Sequence, residues 1–420
     1  MSDDEPEPVA TGLTAPGRAL APFRFPAFRA IWTANLASNL GSMIQSTGAA
    51  WLMTDLTRSH QLVALVQASV TLPVMLLGVI AGAIADNYDR RLVMLAAQWA
   101  MLLLSAALAL LTWQGLIGPF SLLAFTLAVG CFTALNGPAW QASVRLQVGP
   151  GDLPQAISLN TIAFNLARSV GPALGGVLIS LTNAAWAFGL NALSYLALIV
   201  VLMNWHPAQP ERQRQPMLAS ILAGLKFCAG SSPVRRVLVR GFAFGFGAAG
   251  YLGLQPLLVR EQLHGTETQF GLALGAFGIG SIVVALWISP VRRRFGSEAV
   301  VGVSTLIFAL ALLPASRVTS LPALLVLVLI AGGAWVATLT SLNVAMQLRS
   351  PEAILGRCLA IYQAVTFGGM ALGAYAAGLA SDVIGLPGAV QLSAAWLVAS
   401  LALRWLAPMP GPDEGRVKVV

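Results

Sequence analysis

Charge-free runs long enough to cross a bilayer recur from about Phe28 to Leu406, each ended by a short polar or charged cluster. About 18–20 apolar residues cover the hydrocarbon core. A chain crossing that core many times does so as helices, which satisfy their own backbone polar groups. The pattern predicts spans over 28–53, 62–85, 92–114, 119–143, 155–181, 186–205, 237–259, 268–289, 298–316, 321–345, 354–381 and 386–407. The polar, proline-bearing stretch HPAQPERQRQP (206–216) interrupts the series after the sixth span. The apolar MLASILAGLKFCAG (217–230) that follows is too short to cross and is expected on the membrane surface or against the bundle.

The expected fold is therefore all-α and integral to the membrane, with twelve transmembrane helices in two six-helix halves. The divisions are a disordered tail (1–22), a first half (23–205), a linker with a surface helix (206–233), a second half (234–407) and a tail (408–420). The halves repeat at an offset of about 202: Gly171 and Gly176 fall on Gly373 and Gly378, and WQASVRLQVGP (140–150) resembles NVAMQLRSP (343–351).

Composition agrees. The chain is 57% hydrophobic and 10% charged, against about 25% charged in soluble domains. The net charge of +8 raises the question of nucleic acid, but the positions answer it. Of the Lys and Arg, only Arg58, Arg260 and Arg317 fall on one side of the predicted bundle and Arg168 inside it; the rest gather on the other side. That asymmetry places both termini in the cytoplasm and makes the lipid bilayer, not nucleic acid, the partner. The acidic, Pro- and Ala-rich N-terminal stretch is not a signal peptide. Cys131, Cys228 and Cys358 read as buried thiols, and His60, His206 and His264 as isolated interfacial residues, with no metal spacing. Trp51, Trp113, Trp186, Trp205, Trp287, Trp405 and Tyr88 sit at span ends as interfacial anchors.

Two stretches carry candidate chemistry. GAIADNYDRR (82–91) sets Gly82, Asp86, Arg90 and Arg91 at the basic end of span two. Gly82 permits close helix approach. Asp86, at a helix C-terminus, is disfavoured by the macrodipole and wants a cationic or N-terminal partner. The other stretch is ARSVGPALGG (167–176) in span five. Pro172 removes a backbone hydrogen bond and bends the helix, while Gly171, Gly175 and Gly176 leave a smooth face for span eight or one. Arg168 lies near mid-membrane, where a charge costs roughly 3 kcal/mol on insertion scales. It either faces a wet cavity with Thr161 and Asn165, taking an anionic or polar substrate, or caps carbonyls at the kink.

The first stretch resembles the loop-2–3 signature of the major facilitator superfamily, G-x-x-x-D-x-x-G-R-[RK], departing from it at Asn87 and Asp89. The second resembles the G-P-x-x-G-G motif of that superfamily's antiporters, with Ala167 where a further Gly is usual. With FRFPAFRAIWTANLASNLG around span one, the chain is similar to the drug and siderophore exporter branch, the transmembrane secretion effectors that include enterobactin exporters. The resemblance implies an efflux antiporter, multidrug or siderophore-exporting, in the inner membrane. It implies a gate at Asp86, or else a purely topological turn there. It also implies a cavity lined from spans one, four, five, seven, ten and eleven: Asn35, Asn39, Asn136, Trp140, Asn165, Arg168, Tyr251, Gln255, Asn343 and Tyr362, with Gln45 and Gln363 beside them.

All the acids fall outside the span middles, so protons as coupling ion would have to use groups such as Asp55 or Asp86. GFGAAG (245–250) fits a dinucleotide loop in letters only, since it lies within an apolar span. No catalytic motif, cofactor or metal site is expected. The reading is a secondary transporter rather than an enzyme, acting as a monomer to export a small amphipathic molecule by alternating access; the alternatives are an importer of a small solute on the same fold and a non-transporting membrane sensor.

Overall fold

The computed structural model describes residues 20–207, 217–351, 354–411 and 414; for Asp86 and residues 217–220 it describes the backbone alone. The N-terminal tail before residue 20 and the linker 208–216 lie outside these residues.

The described residues form helices and connecting turns. The first half comprises α1 (Pro26–Leu56), α2 (His60–Asn87), α3 (Arg90–Trp113), α4 (Pro119–Ser143), α5 (Leu153–Leu181) and α6 (Ala184–Asn204). The short α7 (Met217–Gly230) leads to α8 (Ser232–Leu257), α9 (Glu267–Ala315), α10 (Leu321–Gln347) and α11 (Leu355–Ser400). At 49 residues a straight α9 would be roughly 75 Å long, far more than a bilayer core. It is two helices meeting at Gly296, whose φ of 81° takes the backbone where a Cβ would clash. Gly385, at φ 77°, divides α11 in the same way. Nine described helices are long and apolar enough to cross a membrane. Counting α9 and α11 twice gives eleven, and α1 makes twelve; its Asn, Ser, Gln and Thr residues keep it short of the composition threshold.

Local signals set the helix ends. Ser59 caps α2 through the Leu62 N–H, and Asn183 caps α6 through the Ala185 N–H. Pro26 and Pro119 occupy first-turn positions, where no backbone donor is lost.

The internal repeat is visible in the packing. A Cβ on Gly171 of α5 would lie 2.6 Å from Met43 of α1, and one on Gly373 of α11 would meet Phe246 of α8. One on Gly176 would lie 3.1 Å from Gly271 of α9, and one on Gly378 would lie 2.7 Å from Gln61 of α2. Each half thus buries one glycine of α5 or α11 against its own first span and offers the next to the other half. The join between halves runs along α2–α11 and α5–α9. GFGAAG is helix packing: Gly245 faces the Thr366 carbonyl and Gly247 faces Leu397.

Apolar side chains such as Leu286, Trp287 and Val383 stay exposed, a flank only lipid covers. Trp113, Trp186, Trp287, Trp405 and Tyr88 are among them, in keeping with interfacial anchors. Trp51 and Trp205 depart from that expectation: both are buried inside the bundle. The short α7 packs on the bundle, with Gly224 against Arg357 and Ile361 of α11. Cys228 and Cys358, far apart in sequence, share one buried cluster there.

Candidate transport path and gates

The two halves are tied at the end of the bundle opposite the arginine-rich one. Trp51 Nε1 of α1 donates to Glu267 Oε1 of α9 over 2.9 Å, and its ring stacks on Phe270. Arg260 pairs with Asp55, donates to Thr54 Oγ1 over 2.6 Å, and lies over the Trp51 ring at 5.5 Å. Arg260 and Glu261 reach across because α8 continues into a π turn, Leu258–Gln262, which redirects them. At the start of α2, the His60 backbone N–H donates to Asp382 over 3.1 Å. Its ring pairs with the Ser381 hydroxyl at 2.7 Å through Nδ1 and with Glu261 at 3.1 Å through Nε2. Thr268 donates to Ser180 over 3.0 Å, completing the belt.

Beneath the belt, α5 and α9 close to backbone contact. Beyond the Gly176–Gly271 approach, a Cβ on Gly278 would lie 2.6 Å from Ser169 Cα. Gly171 and Gly175 face α1 while Gly176 faces α9, so the span-five glycines serve both neighbours named by the sequence.

Arg168 sits just inward of this zipper. It is half-buried, and its guanidinium carbon lies 6.0 Å from the Phe277 ring centroid of the other half. No carboxylate among the described residues pairs with it. Asn165 is half-buried one turn away. On α8, Tyr251 and Gln255 stand one turn apart and buried; the Tyr251 hydroxyl and both Gln255 amide atoms have no protein partner among the described residues. A buried polar group left unmatched costs about 1–3 kcal/mol, so such groups mark places served by water or ligand. The Asn136 carbonyl oxygen is in the same condition. Asn35 is buried, while Asn39, Trp140 and Asn343 are half-buried; Trp140 packs on the first-half core. Asn343 accepts from Gln347 over 2.5 Å, mirroring the Gln147–Ser143 bond of the first half. The Tyr362 hydroxyl donates to the Leu339 carbonyl, and its ring belongs to the Cys228–Cys358 cluster.

Gln45 belongs elsewhere. It accepts from Asn191 Nδ2 over 2.9 Å in a buried network with Tyr195 and Ser42, joining α1 to α6.

At the basic end, Asp89 caps α3, accepting from the Arg91 N–H over 2.8 Å and from the Leu92 N–H. The Arg91 side chain donates to the Leu202 and Met203 carbonyls, both over 2.8 Å, closing the C-terminus of α6. Arg90 donates to the Ala142 carbonyl of α4 over 3.2 Å. The two arginines therefore staple α3 to α4 and α6, more than holding a turn in the headgroups. Gly82 does not show the expected close packing: a Cβ there would meet nothing within 4 Å, because no neighbouring helix reaches that face in this conformation. Asp86 lies in the last turn of α2, and its side chain is outside the described residues.

The second half carries its own basic-end lock. Arg240 Nη2 donates to both carboxylate oxygens of Glu298, over 2.7 and 2.9 Å, and its Nε donates to the Ala407 carbonyl. Glu298 also accepts from the Met409 N–H over 2.6 Å, and Arg349 donates to the Pro410 carbonyl. The segment after the last span is thus strapped down, with Met409 buried.

Residues 17–418 match the transmembrane secretion effector family of the major facilitator superfamily. The chain belongs to that family. This secretion effector is 28% identical to the enterobactin exporter EntS of Citrobacter koseri over 361 residues, covering 83% of this chain and 84% of that protein. It is 25% identical to the staphyloferrin A transporter of Staphylococcus aureus over 278 residues, covering 65% of this chain and 70% of that protein. Among solved structures, a bacterial homolog of the human lysosomal transporter Spinster superposes with a TM-score of 0.74 at 14% identity, covering 97% of this chain and 100% of that one. The nucleoside transporter NupG gives 0.73 at 15% identity, with 90% and 99% covered. The fold is the major facilitator fold.

Within it, Asp89 replaces the glycine usual in the loop-2–3 signature and works as the α3 cap. The residues that sequence reasoning missed are those of the belt. Asp55, His60, Arg260, Glu261, Glu267 and Asp382 were visible as charges at span ends in a chain with few charges, but their pairing needs the register between halves.

Proposed function

We propose that this secretion effector is a secondary exporter of a small amphipathic molecule bearing anionic or polar groups, siderophore-like in chemistry, by alternating access of its two halves. The carrying observation is Arg168: a cation at the α5–α9 join, facing an aromatic ring and no carboxylate among the described residues. A charge kept there against its insertion cost is best accounted for by a ligand that neutralises it. Tyr251 and Gln255, with Asn136 and Asn165, supply further polar contacts. The names of the curated relatives, an enterobactin exporter and a staphyloferrin A transporter, support this class of cargo.

In this reading the basic end faces the cytoplasm of a bacterial cell, the His60–Trp51 belt is the outer gate in its closed state, and one chain is the working unit. Gly82, Asp86, Arg90 and Arg91 form the inner gate, with Gly82 free to receive a helix when the inner end closes. Proton coupling falls to the titratable belt, since the carboxylates described lie at helix ends. The test is efflux from a strain lacking its main pumps, comparing wild type with Arg168→Ala, with and without a protonophore. Extrusion that the substitution and the protonophore both abolish supports the reading. Accumulation of the compound by wild type overturns its direction.

A further inference from the structure

A cavity of about 520 Å³ opens on the flank of the second half, where the start of α8 meets the end of α11. Leu238 and Phe242 of α8, Val365 and Trp396 of α11, and Leu403 line it; Ser400 adds the one hydroxyl. That volume is in the range of ligand sites. A transport path is lined by both halves and carries polar groups; this groove is lined by one half and is apolar. Its setting is the membrane side of the bundle: Val239, Trp396 and Leu406 in its walls are exposed.

Two arginines flank the groove. Arg235 precedes Leu238 and Val239 by one turn on the same face of α8. Arg404 follows Leu403 directly, beside exposed Trp405, at the depth where aromatic anchors meet headgroups. Both arginines are exposed, and neither has a carboxylate partner among the described residues. Two described acids near this end of the second half are already engaged, Glu298 by Arg240 and Glu414 by Arg236. The Arg404 guanidinium lies over the Trp405 ring at 5.2 Å, which leaves its charge without a counter-ion. An apolar slot open to the bilayer with two guanidinium groups at its rim, neither paired with a carboxylate among the described residues, is complementary to one kind of molecule. We propose that it holds an acyl chain of an anionic glycerophospholipid whose phosphate sits between Arg235 and Arg404. The inference rests on neither the cargo nor the direction of transport.

The test uses the full chain in detergent, titrated with phosphatidylglycerol or phosphatidylcholine and read by native mass spectrometry. One phosphatidylglycerol is expected to bind in preference to phosphatidylcholine. The double variant Arg235→Gln/Arg404→Gln is expected to weaken phosphatidylglycerol about 25-fold, the product of two contributions of roughly fivefold, and to leave phosphatidylcholine unchanged. Ala399→Trp, which fills the groove, is expected to displace both. Wild type itself offers a second readout: phosphatidylglycerol brominated in its acyl chains is expected to quench Trp396, measured as the difference from Trp396→Phe. Equal binding of the two lipids, or a Trp396 that is not quenched, overturns the proposal and leaves only annular lipid.

Discussion

Gly176 of α5 and Gly271 of α9 meet across the join between the halves so closely that a Cβ on Gly271 would lie 3.0 Å from Gly176 Cα. Neither helix can carry a side chain here without the halves parting. Overfilling a packed contact typically costs about 1–3 kcal/mol, and that cost falls on the closed end opposite the arginine-rich one. Gly176→Val is therefore expected to shift the protein toward a state open at that end, and Gly176→Ala to do so less. Spin labels at Thr182→Cys and Thr319→Cys, exposed positions on opposite halves, report the gap. An unchanged distance distribution in the valine variant would refute the account.

The belt above that contact is polar. Trp51 donates to Glu267, while Arg260 bridges Asp55, Thr54 and the Trp51 ring. Hydrogen bonds to charged groups contribute about 1.5–3 kcal/mol, exposed ion pairs less. Trp51→Phe is expected to favour opening by more than Asp55→Asn, because Trp51 is buried and Asp55 is exposed. A double-mutant cycle between Trp51→Phe and Glu267→Gln, read from the same label pair, should give a coupling of about 1–2 kcal/mol. Additive effects would show that the bond contributes nothing to closure.

Much of this fold was legible from hydrophobic run length alone, because a bilayer allows a chain so apolar one kind of spanning element. The 202-residue offset went further: Gly171 and Gly373, and then Gly176 and Gly378, occupy equivalent packing positions. Side-chain partners were not legible. Gln45 reads as a cavity residue on α1, yet which way it faces depends on the rotation of α1 against α6, where Asn191 waits for it. Trp51 reads as an interfacial anchor because it ends a span; only the inter-half register turns it inward. Arg168 was legible because its cost at mid-span is independent of register.

The strap after the last span has a pH dependence. The Gly411 N–H, and then the Arg236 guanidinium, hold the Glu414 carboxyl below its ordinary range. A carboxylate favoured in the folded form contributes its hold above its unfolded pKa and loses it as pH falls through the lower folded value. The strap's outer turn should therefore be fixed at neutral pH and loosen in acid. A nitroxide at Gly411→Cys, whose backbone N–H donates to Glu414, should gain mobility on acidification, and Glu414→Gln should show the mobile spectrum at neutral pH. Equal immobilisation of wild type and variant would refute the assignment.

Arg168 separates structure from transport most cleanly. It is half-buried with no carboxylate among the described residues to neutralise it, so its removal leaves no orphaned charge there. Arg168→Met keeps an unbranched side chain on α5 and deletes the guanidinium that faces Phe277. An unpaired charge at mid-span costs roughly 3 kcal/mol on insertion scales, so deleting it should leave the thermal midpoint in detergent unchanged or raise it. If the proposed anionic cargo is the substrate, efflux should nevertheless fall by tenfold or more, since its anionic group loses its counter-charge. Arg168→Lys restores the charge but not the planar fork, so it should recover part of the efflux for a carboxylate or catecholate cargo that needs two parallel hydrogen bonds. If methionine lowers both stability and efflux in step, the arginine holds the α5 kink and the ligand role falls. If methionine leaves efflux intact, neither role stands.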